Sequence, residues 1–153
     1  MRKLKWMDLA IGAGLGLLAR NIARIAYTTG ESMQPTLRDG QLVLVACLSQ
    51  PKKGELVAFK NRGEGPKHLV KRVVAVGGDT VGLRLTRLYV NGQAAHEPYL
   101  KEIMRTKAME EVTVPEGTVF VLGDNRNHSL DSRKLGPVPL KDVIGVVWHA
   151  SKR

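Results

Sequence analysis

The sequence predicts a mainly β fold in which an N-terminal membrane-anchor helix precedes a compact domain of short, coiled antiparallel strands. Three observations carry that expectation. From Thr28 onward, short runs of β-branched and aliphatic residues are broken by Gly, Pro, Asn and Asp, the rhythm of strands joined by tight turns. Asn91-Gly92 is a strong hairpin signal, Asp39-Gly40 a moderate one, and Pro115-Glu116-Gly117 reads as another turn. Ahead of these, Leu9 to Ala19 is an unbroken apolar run behind Arg2, Lys3 and Lys5.

The eleven residues Leu9 to Ala19 would cover only about 16 Å as a helix, against a hydrocarbon core of about 30 Å. If Lys5 and Arg20 carry their charges to the headgroups, a helix from Leu4 to Tyr27 is long enough to span. Arg20, Asn21 and Arg24 share one helical face and Leu18, Ile22 and Ile25 the other, so the second half also suits an interfacial helix. A buried soluble helix is the third option. Arg20, Asn21 and Arg24 stand where a processing site would be expected, which favours retention over removal. The three leading basic residues put the N-terminus in the cytoplasm and the main domain outside, with Arg20 and Arg24 weakening that signal. The expected division is residues 1 to 27 as anchor and interfacial helix and residues 28 to 153 as the β-rich domain.

Eight strands are expected: Leu42 to Ala46, Leu56 to Phe59, Leu69 to Val76, Thr80 to Leu83, Arg87 to Val90, Val112 to Val114, Thr118 to Leu122 and Val143 to Trp148. Gln93 to Glu111 is charged and weakly patterned and reads as a mobile excursion. A chain of 153 residues, 43 % hydrophobic and 25 % charged, is one ordinary globular domain and neither a disordered tail nor a collagen-like fibre. Cys47 is the one cysteine, which excludes an internal disulfide and a cysteine-based zinc cage. The net charge of +10 is spread, +4 in residues 1 to 30 and +6 beyond, and calls for an anionic partner, either phospholipid or nucleic acid. Seven aromatic residues without an aromatic-basic cluster argue against nucleic acid.

Three constellations carry chemistry. Ser32, in Gly30-Glu31-Ser32-Met33-Gln34-Pro35-Thr36, is ordinarily read as a turn former or helix cap. In the strand Leu69 to Val76, alternation puts Lys71 with Leu69, Val73 and Ala75, and Arg72 with Val70, Val74 and Val76. One charge therefore shares an apolar face. A lysine so placed loses its proton more easily and can act as a base, unless the strand is an edge whose basic side chains reach water. The third constellation is Gly123 to Arg133, whose Asp124, Asp131, Arg126 and Arg133 can pair with one another and stiffen an active-site wall. Its alternative is a solvated loop.

Together these segments resemble the type I signal peptidases, membrane-anchored serine proteases that remove signal peptides from exported proteins. Ser32-Met33-Gln34-Pro35-Thr36 is similar to the family's nucleophile box, Lys71-Arg72-Val73-Val74 through Gly78-Asp79 to its lysine box, and Gly123-Asp124-Asn125-Arg126 through Ser129, Asp131, Ser132 and Arg133 to its third box. With the preceding anchor and Gly136-Pro137-Val138, the resemblance covers nearly the whole chain, in a small single-anchor form. It implies a serine-lysine dyad in which Ser32 attacks the scissile carbonyl and Lys71 is the general base. It also implies that Ser129 orients the lysine amine, that Asp124, Asp131 and Arg133 support the site, and that the Ser32 N–H serves the oxyanion. No cofactor or metal is implied.

The expected partners are signal-peptide-bearing preproteins and a phospholipid membrane, not nucleic acid. The peptide should bind extended near Thr28, Thr29 and Gly30 and near Lys71, with Met33 and Val70 also in contact and small residues filling small pockets. Some family members place a hydroxyl two residues before the nucleophile, where this chain has Gly30, so the second oxyanion donor is open. His68, His96, His128 and His149 are not needed by a dyad, and Cys47 reads as a small buried hydrophobe. The rival readings are a soluble self-cleaving repressor, which would need a helix-turn-helix domain in front, and a catalytically inactive, basic, membrane-attached binding module.

Overall fold

The structure, a computed structural model, describes residues 5–6, 23–105 and 107–148. Twelve strands appear among them: β1 Lys5–Trp6, β2 Ala23–Tyr27, β3 Leu42–Ala46, β4 Leu56–Lys60, β5 His68–Val76, β6 Thr80–Arg84, β7 Arg87–Val90, β8 Gln93–Ala94, β9 Met109–Thr113, β10 Thr118–Leu122, β11 Val138–Pro139 and β12 Val143–Trp148. One short helix, α1 Ser132–Leu135, and a 3-10 turn, Leu140–Asp142, complete the described elements. The strands form two antiparallel sheets, an eight-stranded one in the order β1-β2-β3-β12-β4-β5-β10-β11 and a four-stranded one in the order β8-β7-β6-β9.

All eight expected strand segments are strand over most of their length. The turn residues act as their types predict: Asn91 and Gly92 take φ of 52° and 74° between β7 and β8, the left-handed backbone that a two-residue hairpin with the native twist requires.

The N-terminal expectation needs correction. Ala23 to Tyr27, assigned to the end of a helix, is strand β2 and pairs with β3 along its whole length, from Ala23 opposite Ala46 to Tyr27 opposite Leu42. Lys5 and Trp6 are also strand, so no single helix runs from Leu4 to Tyr27. Of the five residues of β2, three are half-buried, Ala26 is buried and Tyr27 exposed, so the run carries no clear period to separate strand from helix. The rest of the apolar run, Leu9 to Ala19, lies outside the described residues. Among the described residues no helix is long and apolar enough to cross a membrane.

The core falls into three clusters, and all three meet on β5. Val70 packs with Ala26, Met33, Leu37 and Val43. Val74 and Ala75 pack with Leu83, Leu88 and Met104 under the small sheet. Leu69 and Val73 pack with Phe59, Val121 and Val146. Each fully buried aliphatic side chain contributes about 1.5–3 kcal/mol. Simple alternation fails midway along β5, because Val121 pairs with Val73 and Phe120 with Ala75. Val74 is thus the extra residue of a bulge. Ala75 joins the second cluster, while Val76 rather than Ala75 packs with Leu69 and Val73.

The Gln93–Glu111 segment is more ordered than expected. Met104 is buried, and residues 109 to 113 extend the small sheet by pairing with β6. The charged composition misled because Glu97 and Glu111 find partners outside the segment, in Arg126 and Arg84.

Candidate active site

Residues 28 to 41 link β2 to β3, and their ends are tied together. Thr28 donates from its N–H to Gln41 O at 2.9 Å, and Gly40 donates to Thr28 O at 2.8 Å. The Thr28 hydroxyl donates to Arg38 O at 2.7 Å. Gly30, at φ 95°, occupies backbone that favours glycine, and its N–H donates to Asp39 Oδ1 at 2.8 Å. Met33 and Leu37 are buried in the first cluster and pin the loop to the sheet. Ser32 is thereby delivered to β5.

There Lys71 Nζ lies 2.7 Å from Ser32 Oγ, in position to donate to it, and donates to Val70 O at 2.8 Å. Lys71 is only 1 % exposed. Burial is the main reason that its amine falls from an ordinary 10.5 to about 8; the Asp131 and Asp124 carboxylates pull it up, and the Arg133 guanidinium pushes it further down. The edge-strand alternative for β5 is excluded, since β4 and β10 flank it.

Arg72 points the other way. Its Nε donates to Asp124 Oδ1 at 2.8 Å and its Nη2 to Asp124 Oδ2 at 2.6 Å. The Thr36 hydroxyl donates to the same carboxylate, so the β5 arginine also grips the Ser32 loop.

The loop after β10 forms the far wall. Arg133 donates to both Asp131 oxygens, at 2.8 and 2.7 Å, and Gly123 N–H donates to Asp131 Oδ2 at 3.0 Å. Burial acts to raise the Asp131 carboxyl, but the Arg133 and Gly123 bonds prevail and hold it below its ordinary range. Asp131 also caps α1 by accepting from Arg133 N–H. Asn125 N–H donates to Ser32 O at 3.0 Å. Gly123 has to be glycine because of close approach: a Cβ there would lie 2.2 Å from Ser129 Oγ and 2.6 Å from Ser32 O.

Two expectations about this wall fail. Ser129 does not bond the lysine amine; among the described residues its buried Oγ meets no partner at hydrogen-bond geometry, and its influence falls on the Asp131 carboxylate, which it helps to lower. Of the four charges expected to pair internally, only Asp131 and Arg133 do so. Asp124 pairs with Arg72, and Arg126 donates to Glu97. The sequence offered no signal for these partners, which are brought together only by the sheets.

Beside the pair lies a pocket of about 30 Å³ lined by Thr28, Thr29, Met33, Val70 and neighbours, room for about two waters or one small side chain. It opens onto a cleft of about 410 Å³ bounded by Glu31, Asp39, Pro66, His128 and Leu130. The proposed substrate contacts therefore share one pocket with Ser32 and Lys71. His68 lines it too, with its imidazole lowered by burial and then by Lys60, Lys67 and Arg24. The side chain that meets the Ser32 hydroxyl is nevertheless lysine. Cys47 is partly buried just past β3.

A hydroxyl against a buried, easily neutralised amine, at the mouth of a small pocket in a coiled antiparallel sheet, is the equipment of a serine-lysine hydrolase. Residues 3–149 match the profile of the family described as "Signal peptidase, peptidase S26". The chain belongs to that family. It is 35 % identical to signal peptidase I V of Bacillus subtilis, over 98 % of this chain and 99 % of that one. It is 38 % identical to signal peptidase I of Bacillus licheniformis, over 92 % and 84 %. Among solved structures, signal peptidase I from Enterococcus faecalis aligns with a TM-score of 0.57 at 35 % identity, covering 64 % of this chain and 97 % of that one.

Two predictions follow from this geometry. Gly123→Ala must displace Ser32 O or Ser129, so turnover is expected to fall tenfold or more, as measured by steady-state kinetics on folded protein. Lys71→Met is expected to stabilise the fold at pH 7 by about 1–3 kcal/mol in denaturant unfolding. Below pH 8 the folded protein carries the full penalty of protonating a buried amine; between about 8 and 10.5 the unfolded chain holds a proton that the folded one lacks. Wild-type stability should therefore rise across that window, and the advantage of the variant should shrink.

Proposed function

We propose that the chain is a membrane-bound serine endopeptidase that removes N-terminal signal peptides from exported preproteins, with Ser32 as nucleophile and Lys71 as general base. The observation that carries this reading is the 2.7 Å contact between the Ser32 hydroxyl and an amine held near 8 by burial. The names and coverage of the relatives supply the substrate class.

In its neutral form, Lys71 takes the Ser32 proton as Oγ attacks the scissile carbonyl. The oxyanion that forms is met by the Ser32 N–H, which donates to no backbone carbonyl among the described residues; one such donor is worth about 3 kcal/mol. Lys71 then gives its proton to the leaving amine, leaving an ester on Ser32. In the second half Lys71 takes a proton from water as that water attacks the ester, then returns it to the Ser32 oxygen as the Oγ–acyl bond breaks and the acid product leaves, which restores both groups. Gly30 offers no hydroxyl as a second donor, and its N–H is directed to Asp39. Asp124, Asp131 and Arg133 support the pair without reacting. The pocket beside it suits small residues of an extended peptide running past Thr28, Thr29 and Val70.

The apolar N-terminal segment is read as the membrane attachment of a β-rich domain on the outer face of the plasma membrane; the pairing of Lys5–Trp6 with β2 puts both ends of that segment beside the domain, which does not fit the cytoplasmic N-terminus expected of a single pass. An exposed apolar face supports this. Tyr27 stands opposite Leu42, and Leu44 lies between Ile25 and Trp148; Tyr27, Leu42, Leu44 and Trp148 are 39, 50, 42 and 62 % exposed. This patch runs straight into the Ser32 loop. On this reading the basic surplus meets anionic headgroups rather than nucleic acid.

Ser32→Ala and Lys71→Met should each abolish cleavage of a generic preprotein by the full chain in detergent or lipid, read on a gel; turnover by either variant rules out the dyad. The wild-type rate should rise with pH through about 8 as Lys71 loses its proton, and a flat profile would make the lysine structural. With Trp6→Phe in place, Trp148 emission should be quenched by lipids brominated near the headgroup. Absence of quenching would put that face in water.

A further inference from the structure

The segment between β8 and β9 sends two side chains back under the site. The Tyr99 ring lies beneath Arg72, with the guanidinium carbon 3.9 Å from the ring centroid. The Tyr99 hydroxyl donates to Glu97 Oε1 at 2.7 Å. Glu97 in turn accepts from both terminal nitrogens of Arg126, whose Nε donates to Gly123 O at 3.0 Å. The Arg126 and Glu97 side chains are only 1 % and 8 % exposed.

These contacts form a circuit with both ends on the Ser32 support. One end runs from Tyr99 through Arg72 and Asp124 to Thr36, inside the Ser32 loop. The other runs from Glu97 through Arg126 to Gly123, against which Ser32 O is packed. A desolvated arginine over an aromatic face and a buried bidentate pair are among the stronger polar contacts available to a protein. Neither Tyr99 nor Glu97 belongs to the segments on which the family resemblance was based, and neither touches Ser32 or Lys71.

We propose that Tyr99 and Glu97 are positioning residues that hold Ser32 in register with Lys71 by clamping Arg72 and Arg126 from beneath. The inference rests on the dyad reading above. Its mechanism has two parts. The clamp fixes the Ser32 loop and the Gly123 wall as one body, so its loss reduces the fraction of molecules with oxygen and amine in contact. It also keeps Arg72 on Asp124. The titratable and charged groups around Lys71 are Asp124, Asp131 and Arg133 of the wall, His68 in the small pocket, and Glu31, Asp39 and His128 around the cleft. If Arg72 loosens, the Asp124 carboxylate is less compensated, favours the protonated amine and raises the pH at which the base becomes available.

The test is steady-state cleavage of a signal-peptide-bearing preprotein by the full chain in mixed detergent–lipid micelles, with Ser32→Ala and Lys71→Met run alongside. Tyr99→Leu should lower kcat tenfold or more with KM within twofold, and move the midpoint of the rising pH limb up by half a unit or more. Tyr99→Phe, which keeps the ring under Arg72, should retain kcat within threefold. Glu97→Gln, similar in size, should lower kcat threefold or more, and it decides the matter if Tyr99→Leu does not fold. The proposal is overturned if folded Tyr99→Leu, or Glu97→Gln in its place, shows the wild-type kcat and pH midpoint, or if the losses vanish once rates are normalised to the folded fraction. Cleavage by Ser32→Ala or Lys71→Met would instead sink the dyad itself, whatever happens at Tyr99.

Discussion

An amine 1 % exposed and 2.7 Å from a hydroxyl is the constraint around which the rest of this fold is arranged. At pH values where it is protonated, its site costs about 3 kcal/mol of stability, judged from the net fall of its pKa from 10.5 to about 8, of which burial is the largest cause. That is a large fraction of the 5–15 kcal/mol typical of a domain. The three apolar clusters converge on the strand that carries it, and this convergence both excludes water from the amine and offsets the penalty. The same packing that makes Lys71 chemically useful is therefore what lets it remain in a folded protein.

Desolvation alone would leave the amine poorly regulated, because two buried carboxylates lie nearby. Each has its own guanidinium: Asp131 has Arg133 and Asp124 has Arg72. Without these partners the carboxylates would pull Lys71 toward its charged form and oppose the effect of burial. The adjacency of Lys71 and Arg72 thus has a physical reason. Successive residues of a strand face opposite ways, so one strand presents a desolvated base to the cleft and, one residue later, a cation to the layer behind it. The bulge at Val74 lies just beyond and redirects the end of β5 toward the small sheet without disturbing either charge.

Much of this architecture was legible in the sequence, and the losses have identifiable causes. Strands bounded by turn chemistry, such as Thr118–Leu122 after Pro115-Glu116-Gly117, could be placed because their ends are local signals. Ala23–Tyr27 could not, since it follows an apolar run and its strand character comes from pairing with Leu42–Ala46. Two-residue strands such as Gln93–Ala94 and Val138–Pro139 carry no periodicity at all. At the site, Ser32 and Lys71 stood out through residue type, strand context and resemblance to a known family. The pairing of Asp124 with Arg72, 52 residues apart, and of Arg126 with Glu97 had no such trace. Charges adjacent in a polar loop look like natural partners, but the sheets supplied better-placed ones.

The proposed activity also resolves an apparent weakness of the site. With an amine near 8, only about a tenth of molecules at pH 7 hold the free base, equivalent to about 1.4 kcal/mol of barrier. A lower pKa would yield more free base but a weaker one, and it would require still deeper burial. Two features of the structure work in the other direction. A peptide filling the cleft over Ser32 and Lys71 would displace the remaining water, lowering the amine further in the complex, where the proton is transferred. The apolar face formed by Leu42, Leu44 and Trp148 adjoins the same loop, and confining enzyme and substrate to one membrane can raise effective affinity by about 10²–10⁴. On the proposed reading, confinement of that size would exceed the tenfold deficit in free base, and a lysine only moderately depressed would suffice for an enzyme meeting its substrate at a bilayer surface.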